Sequence, residues 1–104
     1  MSKKTIMLVC AAGMSTNMLV SRMQRAAEHL GLDIDVIAAP AVEAADLIKE
    51  KKIDILLLGP QVRYLKSDFE KCLAESKVPV DIVNMKDYGM VDGESILRGA
   101  LNLL

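Results

Sequence analysis

Aromatic side chains are scarce in this 104-residue sequence, which has two Tyr, one Phe and no Trp. Its interior must therefore be aliphatic, built from Leu, Ile, Val, Ala and seven Met, and soft rather than ring-packed. An excess of either charge is also missing. Thirteen basic against fourteen acidic residues leave a formal net charge of -1, without the basic surplus of a typical nucleic-acid binder. Only Cys10 and Cys72 carry thiols, so the disulfide-dense framework of a small secreted domain is absent and reduced thiols in the cytoplasm are expected. The single His has neither partner thiols nor a second His at ligand spacing, which argues against a metal site. No run approaches the roughly 18 to 20 apolar residues needed to span a bilayer. The stretch IMLVCAAGM behind residues 1–4 is short and runs into a polar helix-forming segment, unlike a signal peptide. A soluble single domain over residues 1–104 is expected.

Short apolar runs alternate with helix-like segments four times. Residues 5–10 are apolar in succession, the mark of a strand covered on both faces, and 53–58 is the clearest such run, closed by Gly59-Pro60. Further strands are predicted over 34–39, ended by Pro40, and over 80–84, introduced by Pro79. Helices are predicted over 15–30, 42–51, 67–75 and 94–104. In the first, Leu19, Met23, Ala26, Ala27 and Leu30 form a stripe, Ser15 or Thr16 caps the start and Gly31 ends it. In the third, Ser67 and Glu70 have capping-box spacing. The segment MKDYGMVDG reads as a loop. This order predicts an α/β fold: one four-stranded parallel sheet in the order 2-1-3-4, Rossmann-like, with helices on both faces. Strands one and three then end side by side at the switch point where such sheets bind ligands, so Cys10 and Gly59 face one crevice.

Chemistry concentrates after the first strand, in CAAGMSTNM. A thiol just ahead of a helix start lies at the positive end of the macrodipole, which favours the nucleophilic thiolate. Ala11, Ala12 and Gly13 are small enough for the backbone to curl around the sulfur and turn successive amides toward an anion. Ser15 and Thr16 add hydroxyl donors or simply cap the helix. A phosphoryl group on sulfur presents three oxygens and nearly two negative charges, which such a loop suits. The competing reading is a buried, inert cysteine in a strand-to-helix turn.

Other classes remain open. A cysteine phosphatase or arsenate-reductase-like enzyme would place Arg after five residues intervening from the Cys, where this chain has Thr16, so the guanidinium clamp for the equatorial oxygens is missing. A non-catalytic anion-binding regulatory domain is the third possibility. A thioredoxin-like role lacks the second cysteine of C-x-x-C spacing. Elsewhere the bland readings prevail: Met18 in the helix core, Cys72 a buried or half-buried structural thiol, His29 complementing a helix C-terminus, Arg22 and Arg25 on a solvated face, and Asp33 and Asp35 alternating along a solvent-edged strand. Met14, in the loop, is the exception, a candidate for docking a partner.

The segments IMLVCAAGMSTNMLVSRM, ILLLGPQVRYL and DYGMVDG, in this order across essentially the whole chain, resemble the IIB component of the bacterial phosphoenolpyruvate-dependent sugar phosphotransferase system (PTS), in the lactose, cellobiose and chitobiose family. The resemblance implies a fold like that of low-molecular-weight tyrosine phosphatases and a phosphotransferase that works through a phosphocysteine. It makes Cys10 the phosphorylated nucleophile and Ala11, Ala12, Gly13, Met14, Ser15, Thr16 and Asn17 the loop around its phosphoryl group. Gly59, Pro60, Gln61 and Tyr64 become the border of the crevice, while Tyr88-Gly89 and Asp92-Gly93 match the late turn without an assigned chemistry. It implies a phosphohistidine donor on a IIA partner and a β-linked disaccharide held by a membrane IIC partner, which brings the chain to the inner face of the membrane. No cofactor, metal or nucleic acid is implied.

Overall fold

Successive residues of the first apolar run point to opposite faces of a sheet, and helices cover both. In the computed structural model, which describes residues 3–11 and 16–103 with Thr16 as backbone only, this run is strand β1, Lys4–Cys10. Ile6 and Leu8 enter one core cluster and Met7 and Val9 the other, and all four are fully buried. Burying each such side chain contributes about 1.5–3 kcal/mol, which is why an unbroken apolar run marks a central strand.

β1 pairs in parallel with β2 (Ile34–Pro40), from Lys4 opposite Ile34 to Cys10 opposite Pro40. On its other side it pairs with β3 (Ile55–Leu58), Val9 lying opposite Leu58. β4 (Val80–Ile82) adds to β3, giving the order β2-β1-β3-β4 that the sequence predicts. Helix α1 (Thr16–His29) and the last helix, α5 (Gly93–Leu101), pack on the Ile6/Leu8 face through Leu19, Met23, Ala27, Leu97 and Ala100. Helices α2 (Ala41–Glu50) and α3 (Lys66–Cys72) cover the Met7/Val9 face through Ala44 and Phe69.

Local signals set several boundaries. Gly31 adopts φ +71 after α1. The Gly31 amide donates to Glu28 O (3.1 Å) and the Leu32 amide to Ala27 O (2.8 Å), the Schellman closure that favours glycine here. Gly93 is required for a different reason: a Cβ there would stand 2.7 Å from the backbone of Arg22 and Met23, so its absence lets α5 start against α1. Gln24 of α1 covers the outer edge of β2, its amide donating to Ile34 O (2.8 Å) and accepting from Val36 N (2.9 Å). That pairing blunts an edge strand that would otherwise offer unpaired backbone groups.

The structure departs from the sequence expectations in places. The predicted loop after β4 contains helix α4, Met85–Gly89, because Asn84 Oδ1 accepts from the amides of Lys86 (2.8 Å) and Asp87 (3.3 Å). A 3₁₀ helix, Pro60–Leu65, precedes α3, so the N-cap of α3 is Leu65 and the Ser67/Glu70 capping box does not form. Met18 lies one position off the buried stripe of Leu19 and Met23 and is 55% exposed rather than in the core. Cys72, the last residue of α3, is exposed, because Phe69 and Leu73 take the buried face. Asp33 and Asp35 lie on the solvent side, each within 4 Å of Lys3 Nζ (3.9 and 3.8 Å).

Candidate functional site

Cys10 ends β1 at the carboxyl edge of the sheet, with Pro40 opposite it on one side and Gly59 following β3 on the other. Its surface is 4% exposed, and Sγ lies 3.9 Å from the Ala39 carbonyl, a weak thiol contact. Ala11, the next residue, is exposed. Of the loop proposed to wrap the anion, Ala12, Gly13, Met14 and Ser15 lie outside the described residues, as does the side chain of Thr16; Asn17 is exposed in the first turn of α1.

Two helices begin at this edge. α1 starts at Thr16, six residues after Cys10, and α2 starts at Ala41, immediately after the residue paired with Cys10. The N-cap of α2 is Pro40, which provides no side-chain cap. The first amides of a helix lack intrahelical acceptors and carry the positive end of its dipole, so the edge around Cys10 is electrostatically suited to negative charge.

Gly59 closes the other side. Its amide donates to Val9 O (2.8 Å), carrying the β1–β3 ladder one step further toward Cys10. A Cβ on Gly59 would stand 3.2 Å from Gln61 Oε1 and 3.5 Å from the Tyr88 ring, so both groups lie close to the strand end. Pro60, Gln61 and Tyr64 line a groove of about 620 Å³ together with Arg63, Met85, Tyr88 and Gly89. Pro60 is buried, whereas Tyr64 is 74% exposed.

Sequence reasoning left Tyr88 and Gly89 without a role; the structure brings them to the groove because α4 folds back beside the 3₁₀ segment. The available signal was the rarity of aromatics, since both Tyr of the chain line this one groove. The late turn beyond it is strained at Val91, a β-branched residue at φ +53, whose carbonyl accepts from Arg22 Nη1 (3.3 Å). Arg22 thereby ties this turn to α1. Among the described residues, no group of three or more His, Cys, Asp or Glu could hold a metal ion. No described helix is long and apolar enough to cross a membrane.

A cysteine at the switch point of a doubly wound parallel sheet, facing two helix N-termini, defines an α/β domain arranged to meet an anion at its carboxyl edge. The model of the family "PTS system, Lactose/Cellobiose specific IIB subunit" matches residues 5–98. The chain is 42% identical over 107 residues, 100% of its length and 99% of theirs, to two relatives from Lactococcus lactis: the galactose-specific EIIB component of the PTS in subsp. cremoris and the cellobiose-specific EIIB component in subsp. lactis. Its fold superposes on the lactose-specific IIB component domain from Streptococcus pneumoniae with a TM-score of 0.85 at 14% identity, covering 97% of each chain. The chain belongs to the lactose/cellobiose-specific IIB family of the sugar phosphotransferase system. It is thus a component of a sugar phosphotransferase, of the family that works with IIA and IIC partners.

Proposed function

We propose that Cys10 carries the phosphoryl group between the donor and the sugar. In the first step the Cys10 thiolate attacks phosphorus of a phosphohistidine on the IIA partner. The S–P bond forms as the N–P bond breaks, and the departing imidazole takes up the proton that the thiol releases. In the second step a hydroxyl of a β-linked disaccharide of the cellobiose, lactose or chitobiose class, held by the membrane IIC partner, attacks the same phosphorus. The S–P bond breaks, sulfur leaves with the electron pair, and the hydroxyl proton returns to it as the thiol. The first step exchanges one high-energy phosphoryl linkage for another and the second runs downhill to a phosphate ester on the sugar; neither needs a further co-reactant, so the protein supplies chiefly positioning and charge stabilisation.

The observation that carries this reading is the place of Cys10: the last residue of the central strand, next to the N-terminus of α2 and ahead of that of α1. The family resemblance gives the phosphoryl group to the stretch 11–17, which follows Cys10 directly in the chain. Thr16, standing where a cysteine phosphatase has its Arg, supports a phosphocysteine that persists until the acceptor arrives rather than one rapidly hydrolysed. Transfer then takes place at the cytoplasmic face of the membrane, where IIC presents the sugar.

Intact-mass measurement after incubation with phosphoenolpyruvate, the general phosphotransferase proteins and a cognate IIA tests this. The wild-type chain is expected to gain one phosphoryl group and Cys10→Ala none. A phosphoryl group that persists in Cys10→Ala would contradict the assignment.

A further inference from the structure

Helices α1 and α4 end in the same hydrogen-bonded closure, one with glycine and the other without it. After α1 the left-handed position is Gly31, at φ +71. After α4 it is Val91, at φ +53, where the Val91 amide donates to Tyr88 O (3.1 Å) and the Asp92 amide to Asp87 O (2.9 Å). That conformation is costly for a β-branched residue, so a Val persists there only where its surroundings hold it. Two contacts do so. The Val91 side chain packs against the core cluster on the Ile6/Leu8 face, and its carbonyl accepts from Arg22 Nη1 (3.3 Å). Among the described residues the Arg22 guanidinium forms no ion pair.

The same turn is the joint on which α1 rests. Asp92 serves both of its neighbours: its amide closes α4, while its carboxylate accepts from the Ser95 amide (3.1 Å) and hydroxyl (2.9 Å) at the start of α5. A Cβ on Gly93 would stand 2.7 Å from the backbone of Arg22 and Met23, so no gap separates the joint from α1. Arg22 lies in the second turn of α1, about 9 Å of helix from Thr16 at 1.5 Å per residue. Over so short a length the hydrogen-bonded helix moves as a rod. Where the joint seats Arg22 therefore decides the level at which α1 presents its first turn at the carboxyl edge.

Resting on the functional reading above, we propose that Arg22 is a positioning residue for phosphoryl transfer on Cys10. By holding Val91 in the left-handed cap of α4 it locks the late turn, and the locked turn fixes the start of α1 at the edge where Cys10 ends β1. The segment DYGMVDG thereby gains a part in the reaction without touching the phosphoryl group. Val91 suits that part better than glycine, because its side chain anchors the turn in the core.

Two measurements test this. Denaturant titration compares wild type, Arg22→Ala, Val91→Gly and the double variant. Arg22→Ala is expected to cost less stability in the Val91→Gly background than in wild type, since glycine adopts φ +53 without being held. Additive losses would overturn the hold on Val91. Loading of Cys10 from phosphorylated IIA is then followed in wild type, Arg22→Ala and Arg22→Lys. Arg22→Ala is expected to lower kcat about fivefold at an unchanged KM for phosphorylated IIA, and Arg22→Lys, which keeps a donor, to recover most of that loss. An unchanged kcat in Arg22→Ala overturns the proposal. So does a raised KM alone, which would make Arg22 a docking side chain. A wild-type chain that never loads contradicts the functional reading itself.

Discussion

The two ends of the sheet carry cavities of similar size and opposite character. At the carboxyl edge a groove of about 620 Å³ lies between the 3₁₀ segment and α4, and α1 and α2 start at the same edge. At the amino edge a cleft of about 520 Å³ is lined by Lys51, Lys52, Asp54, Ser76 and Lys77 among others, where α2 and α3 end. Helix C-termini expose carbonyls and the negative end of the dipole, so the lysines there complete the helices rather than recruit an anion. Each edge also has its cysteine. Cys72, at the end of α3, is the exposed one, and Cys10 is nearly covered. On the function proposed above, the direction in which the helices point, and not exposure, marks the reactive thiol.

The largest effect expected from disturbing the contrast is at Gly93, which touches α1 and through it the carboxyl edge. Gly93→Ala forces a methyl into the backbone at Arg22 and Met23 and is expected to destabilise the fold by about 1–3 kcal/mol in denaturant titration. It should also slow loading of Cys10 more than Ile53→Val, a destabilising truncation of a buried residue at the amino edge. Equal slowing in both would break the distinction between the edges. Lys77→Gly sharpens it from the other side. Lys77 holds φ +58, a conformation glycine adopts freely, so the substitution should stabilise the chain by about 0.5–1 kcal/mol and leave loading intact. A loss of loading would give the amino edge a part in the chemistry. Smallest is Cys72→Ser: stability within about 0.5 kcal/mol of wild type and unchanged loading, while reaction with a bulky thiol reagent under native conditions disappears. Persistent labelling in that variant would show Cys10 to be the more accessible thiol.

The parts of this molecule legible in the sequence are those where one physical cause dominates. Ile6 to Val9 and Ile55 to Leu58 are unbroken apolar runs, so both central strands followed from burial alone. Gly31 could be assigned as the end of α1 because its left-handed backbone favours a residue without Cβ. The segment 85–89 could not, since α4 is five residues long with no apolar period and depends on two bonds from Asn84. The Gln24 clamp on β2 and the Val91 turn held by Arg22 join residues distant in sequence, and a polar side chain carries no local sign of such a partner. Met18 shows the limit of periodicity: one residue from Leu19, it falls on the outer face. Of the candidate site, the positions of Cys10 and Gly59 at neighbouring strand ends were readable from the topology and Pro60 and Gln61 came only with the family resemblance, whereas Tyr88 required the fold of α4 to reach the groove.

Phosphorus-31 NMR of the loaded chain tests the central claim most directly, because it reports the atom to which phosphorus is bonded. A single thiophosphate resonance, coupled to the Cys10 β-protons and discharged on adding the sugar with its IIC partner, is the predicted result. A phosphoramidate resonance on His29, or a phosphate ester on a hydroxyl, would contradict it.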